Sequence, residues 1–405
     1  MHPRAVALAA AVAALAGLTI PAHAQVTAYE GARVIVGNGT VIENGTIVVD
    51  GARIVSVGDT KSAKLPANAK RVDLKGKTVM PMLIDTHVHL SGKRETMIRD
   101  LKQRAYWGVS TAMSMGTDNI ELLAMRNETI PGAARFLSAG RGITRPEPLR
   151  PTIFINSEED GRKAIQENAK LKVDIVKIWV DDRNGKVPKI TPEQYAAIID
   201  EAHKLKIRIT AHINAMEDAK GLMKAGLDAF AHGVRDRDVD DETVAMFKQR
   251  PNIVLNPNLP DRGVKVDRSW LQAGMSPEEF AKLETTNTDR PKAAAFHGIQ
   301  ARNLAKMNAA GVFMVMGTDG NRSWAPHEEV EDMVLAGMTP AQVILASTRN
   351  GAQFLRLPDQ GTLEAGKSAD LLVLDANPLD NITNTRRISL VVLRGVAVDR
   401  SKPVQ

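Results

Sequence analysis

Residues 78–90 read TVMPMLIDTHVHL, an apolar run that closes on two histidines set two apart, His87 and His89. Spacing of two along a strand turns both imidazoles to one face. The run therefore reads as a buried strand that delivers a pair of metal-ligating groups at its carboxy-terminal end. Alone, an H-x-H is a weak motif, because a chain with nine histidines can meet it by chance. Its worth depends on what arrives at comparable strand ends elsewhere.

Seven further short apolar runs follow: VSTAMSM from Val109, ARFLSAG from Ala134, VDIVKIWV from Val173, IRITAHI from Ile207, AFAHGV from Ala229, NIVLNPN from Asn252 and VFMVMGTD from Val312. Helical patterns separate most of them, such as PEQYAAIIDEAHKLK, which has Thr191 placed to cap it and Pro192 at its first position. Strands alternating with helices predict βα units around a parallel sheet, and eight of them predict an α/β fold of the (β/α)8 TIM barrel type. No GxGxxG follows the first strand, which excludes the main dinucleotide-binding competitor. Outside the middle, ARVIV, TVIENGTIVVDG and ARIVSVG near the start and ADLLVLD and LVVLRGVAV near the end read as strands joined by tight turns, with Asn-Gly and Asp-Gly at hairpin positions. The expectation is a small β-sandwich built from residues 25–79 and 361–405, flanking a barrel over residues 80–360.

Strand ends of a barrel converge on one mouth. There the sequence places His87 and His89, then His212 in ITAHI, His232 in FAHG and Asp319 in MGTDG. Imidazoles with a carboxylate suit zinc, or a similar ion such as manganese, cobalt or iron. Lys177 stands inside the apolar VDIVKIWV run, where a buried ammonium is costly. It either snorkels to the rim or pairs with Asp181 or Asp182, or it has become a carbamate bridging two cations. Charge counting favours the carbamate, since two divalent ions need several anions around them. Asp85 is placed to orient a ligand histidine, whereas His203 and His297 read as surface or packing residues.

Composition narrows the field. The chain of 405 residues has no cysteine, so disulfides and thiolate metal sites are excluded. Basic and acidic side chains, 53 and 47, are interspersed, which argues against a nucleic-acid partner. Met1 to Gln25 reads as a secretory signal cut after Ala24, predicting a periplasmic or secreted protein with no membrane insertion after cleavage. Self-association into a homo-oligomer is left open.

On the set DTHVH, Lys177, His212, His232 and the GTD of Asp319, the chain resembles the amidohydrolase superfamily in its binuclear, carboxylated-lysine form, and within it the imidazolonepropionase-like, prolidase-type group. The segment GTLEAGKSADLLVLDANPL is similar to that family's return into the small β-domain. The resemblance implies two divalent ions, His87, His89 and Asp319 holding the more buried one, His212 and His232 the other, and Lys177 bridging. It also implies that Asp319 is the catalytic acid-base group. Deaminases of this kind place a glutamate three residues after the strand-five histidine, where this chain has Ala215, with Glu217 two further on. Hydrolysis of an amide or peptide bond in a small substrate, a dipeptide, an Xaa-Pro or an N-acyl amino acid, is thus expected. A lactonase or phosphotriesterase is the alternative on the same centre, and an exported metal-dependent binding protein the alternative without turnover. Arg235, Asn258 and His327 are the expected substrate contacts, Arg235 being preferred over Arg141, Arg183 and Arg322 for a substrate carboxylate.

Overall fold

The computed structural model describes residues 26–147 and 152–404, so the expected secretory signal lies outside the described residues. The fold is mixed α/β and contains sheets of parallel strands. In one, Leu83–Val88, Val109–Ser114 and Arg135–Ser138 run side by side in parallel register. In another, Val176–Val180, Ile209–Ile213, Ala229–Phe230 and Val254–Leu255 follow one another, again in parallel. Backbone hydrogen bonds carry on past the named strands: Asp174 N donates to Ser138 O at 3.0 Å, Leu255 N to Phe313 O at 3.0 Å and Thr86 N to Met316 O at 3.0 Å. The eighth apolar run therefore joins the strands on both sides, although its ladder contacts are the isolated bridges of Met314 and, just past its end, Gly320.

Hydrophobic burial holds this arrangement. Leu83, Val109, Val176, Ile209, Phe230 and Met316 are almost wholly buried in one continuous cluster, each worth about 1.5–3 kcal/mol relative to exposure. Helices cover it by presenting one face. Pro192–Lys204 buries Tyr195, Ile198, Ile199 and Ala202, the spacing of three and four that one helical face requires. Its start is fixed as expected: Gln194 N donates to Thr191 Oγ1 at 3.3 Å and Thr191 N to Gln194 Oε1 at 3.1 Å, a reciprocal cap worth about 1 kcal/mol.

Both ends of the chain meet in a second unit with its own core of Val34, Ile47, Val79, Leu371 and Val392. Here the structure differs from the expected pair of facing sheets. Eight strands form one hydrogen-bonded sheet, in which Thr27–Ile35 lies between Val41–Asp50 and Thr78–Pro81, and Leu371–Leu374 pairs with Thr78–Pro81. Thr78–Pro81 belongs to this sheet, so the TVMPMLID run is two strands. The break falls at Met82, whose amide bonds to Asp370 O while the next amide bonds to Gly108 O in the parallel layer. Asn44-Gly45 lies within a strand and makes no turn there. Gly45 faces Ala32 in the register, where a Cβ would come within 2.6 Å of the Val34 side chain.

Candidate metal centre

Leu83–Val88 carries His87 in its last turn of pleat and passes His89 beyond its end. The His87 Nε2 and His89 Nε2 atoms lie 3.3 Å apart, and Asp319 Oδ1 is 3.2 Å from the first and 3.0 Å from the second. Each ring is fixed from behind. With His87 donating from Nδ1 to Ala231 O at 3.0 Å and His89 from Nδ1 to Thr117 Oγ1 at 3.2 Å, both Nε2 atoms keep their lone pairs. Three acceptors then face one point, an arrangement that repels itself unless a cation stands among them.

A second pair repeats the logic. His212 Nδ1 and His232 Nε2 are 2.6 Å apart, while the outer nitrogens donate to Asp181 Oδ2 at 3.0 Å and to Gly233 O at 3.3 Å. Burial above all holds His87, His212 and His232 well below the usual histidine range, so they stay neutral and able to ligate. Asp319 Oδ1 is the third acceptor at the His87–His89 pair, and its carboxylate lies well below the usual carboxylate range in spite of its burial. Asp319 takes a left-handed backbone, φ 51°, that a non-glycine residue adopts at some cost.

Lys177 stands on Val176–Val180, the strand that pairs with the one carrying His212. Its side chain is 1% exposed, which removes the snorkelling alternative, and Nζ is 3.5 Å from His87 Nε2. Room for it is made by Gly116, where a Cβ would fall 3.1 Å from the lysine's own Cβ. The donor set of four histidines, a carboxylate and a buried lysine fits divalent ions, and among the described residues His87, His89 and Asp319 form the group whose ligand atoms all lie within 4.8 Å of one another.

Other expected contacts are placed differently. His327 is fully buried, with Nδ1 3.1 Å from Thr385 Oγ1 and Nε2 2.8 Å from Trp107 O, in an aromatic cluster with Trp107 and Trp270; both its nitrogens are used, which corrects its assignment to substrate. Asn258 is buried beside His87, its Nδ2 donating to Ala231 O, the same carbonyl that takes the His87 Nδ1 proton, so its amide is used within the wall of the site. Arg235 does reach the centre, Nη2 standing 3.6 Å from Asp319 Oδ2, yet its Nε is given to Gln300 Oε1 at 3.1 Å. Asp85 touches no ligand ring. It accepts from the amides of His87 and Thr318 at 3.2 and 3.1 Å and pairs with the buried Arg104, tying together the two segments that bring His87 and Asp319.

Two participants escaped the sequence reading. Asp181 enters the sequence reading only as a partner for Lys177, but Lys177, Trp179 and Asp181 follow at a spacing of two along one strand and its extension, a period that places Asp181 on the same face as Lys177, beside His212. For Thr117 nothing in the sequence signals its contact with His89.

The Amidohydrolase family model matches residues 78–398. Among curated relatives, an imidazolonepropionase from Shouchella clausii is 26% identical over 344 residues, covering 77% of this chain and 74% of its own. A 5-methylthioadenosine/S-adenosylhomocysteine deaminase from Halalkalibacterium halodurans is 25% identical over 372 residues, covering 80% and 78%. Among solved structures, a prolidase candidate from Bifidobacterium longum superposes with a TM-score of 0.78 at 29% identity over 95% of this chain and 97% of that one. The chain belongs to the amidohydrolase family. It is an enzyme of the class that hydrolyses carbon–nitrogen bonds.

Proposed function

We propose that the protein is a binuclear metal-dependent hydrolase of the amide or peptide bond in small substrates such as dipeptides, Xaa-Pro among them, and N-acyl amino acids. The observation that carries this reading is the facing of unshared lone pairs in two adjacent sets, His87, His89 and Asp319 in one and His212 and His232 in the other, with Lys177 buried beside the first. In this reading Lys177 is carboxylated and bridges the sets, and the parallel strands close into a (β/α)8 barrel through the hydrogen bonds to Phe313 and Met316. The mature chain is exported to the periplasm or beyond.

When bound, two divalent ions, zinc by the preference of the donors, supply Lewis acidity that polarises the amide carbonyl and acidifies the attacking water. The chain does the rest. Asp319, ionised and partly open to the mouth, takes the proton of that water and passes it to the leaving nitrogen. Arg235, 3.6 Å from Asp319 Oδ2, steadies the carboxylate in the position from which it can do both. His87, His89, His212 and His232 hold their lone pairs toward the centre through the hydrogen bonds on their far nitrogens.

Deamination is disfavoured by position. Ala215 offers no carboxyl, and Glu217 is 65% exposed and paired with Arg237 on the helix that follows. Metal-loaded protein is expected to release amino acid from members of a dipeptide and N-acyl amino acid panel, and chelation to abolish the release. Ammonia release from nucleosides or pterins with no peptide cleavage would overturn the reading.

A further inference from the structure

A cavity of about 260 Å³ opens beside Asp319, and both chain neighbours of that residue, Thr318 and Gly320, form part of its wall. Asp319 and the histidine ligands do not line it, so the cavity adjoins the centre through the backbone on either side of Asp319. Leu259, Pro260 and Val264 give it an apolar side. Most charges around it are already matched: Arg262 pairs with Glu331 and Asp332, Arg268 with Glu328, and Asp261 with Arg290. Glu329, buried in the wall, accepts from the Leu259 amide at 3.1 Å, and burial together with the nearby Asp332 raises its carboxyl well above the usual carboxylate range.

Arg322 stands apart from these. It is exposed, lines the cavity, and has no carboxylate partner among the described residues; its guanidinium lies 5.4 Å from the centre of the Trp324 ring. The other arginines at strand ends are committed, Arg235 to Asp319 and Gln300, Arg183 to Asp181 and Glu147, and Arg141 to the Thr152 carbonyl. A guanidinium that lies over an indole without a carboxylate partner keeps its planar fork of N–H donors for a carboxylate. The wall beneath it takes an apolar side chain, and the volume suits one amino-acid residue.

We propose that this cavity is the subsite for the amino-acid half of the substrate, with Arg322 the specificity-determining residue that binds its free carboxylate. The assignment rests on the amide-hydrolase reading above, but its test does not depend on turnover. Metal-loaded protein is titrated in a calorimeter with L-leucine and with L-leucinamide, which carry no N-acyl bond to cleave and differ only in the terminal charge. Wild type and Arg235→Met are expected to bind the acid about 10- to 100-fold more tightly than the amide. Arg322→Met is expected to bind both equally, at the wild-type affinity for the amide, and Arg322→Lys to recover part of the preference; circular dichroism confirms that each variant is folded. A preference that survives in Arg322→Met, that vanishes instead in Arg235→Met, or that wild type never shows overturns the assignment. The two readings fail separately. An Arg322-dependent preference in a protein that cleaves no peptide or N-acyl amino acid supports the subsite while refuting the proposed reaction.

Discussion

His212 turns Nδ1 to within 2.6 Å of His232 Nε2, whereas His87 and His89 meet through their two Nε2 atoms. The difference follows from what lies behind each ring. Asp181 Oδ2 takes the outer Nε2–H of His212, leaving only Nδ1 free to ligate. Asp181→Ala should therefore weaken metal at the His212–His232 pair by about 10- to 100-fold, the usual cost of losing such a supporting carboxylate, and leave the His87–His89 pair occupied. Competition with a graded chelator would show two steps drawn apart. Unchanged affinity at both steps would mean that Asp181 serves only Arg183 and the loop.

Lys177→Ala should lose most activity, because the bridging anion disappears while both histidine pairs remain. Short-chain carboxylic acids added to the assay should restore part of it by entering the vacated space beside His87. Full activity in the variant, with no response to added acid, would show that the lysine only fills the core.

Asp319→Asn should still fold, since the side chain is at the open face and the core does not rest on it. Turnover should fall by about 10²- to 10⁴-fold, as expected for a lost acid-base group, and further if metal leaves. Steady-state rates beside metal analysis of the same sample check this. Retained turnover with retained metal would contradict the role.

The metal groups were legible because their signal is local: a histidine or aspartate at the end of an apolar run needs only the strand to be recognised. Substrate contacts were not. His327 sits eight residues after Asp319 and looks like a residue of the mouth, but the helix Pro326–Leu335 turns it inward against Trp107 O. Asn258 follows its strand at the expected place, yet a left-handed backbone, φ 41°, sends its amide into the wall beside His87. Neither the direction of a helix entry nor a single φ is written in residue spacing. The split of TVMPMLID at Met82 was hidden for a related reason, because both halves are apolar and buried and differ only in which sheet they join.

His327 also makes acid stability measurable. Burial pushes its pKa down to about 4, partly offset by the bond to Trp107 O, against 6.5 for an unperturbed histidine. Below pH 6.5 the unfolded chain binds a proton that the native chain refuses, so stability is full above that value and is lost as pH falls toward 4. The loss from this group is about 3 kcal/mol across the window. Denaturant unfolding at a series of pH values should show a shallower decline in His327→Gln than in wild type between pH 6.5 and 4. Parallel curves would mean that another group carries the acid sensitivity.

The account turns on two adjacent ion sites, five conventional donors and a bridging lysine being too many for one tetrahedral ion. Elemental analysis of protein purified under metal-replete conditions, referred to protein concentration by amino-acid analysis, tests this most directly. Close to two divalent ions per chain is the expected result, and a value that saturates at one would contradict the binuclear centre.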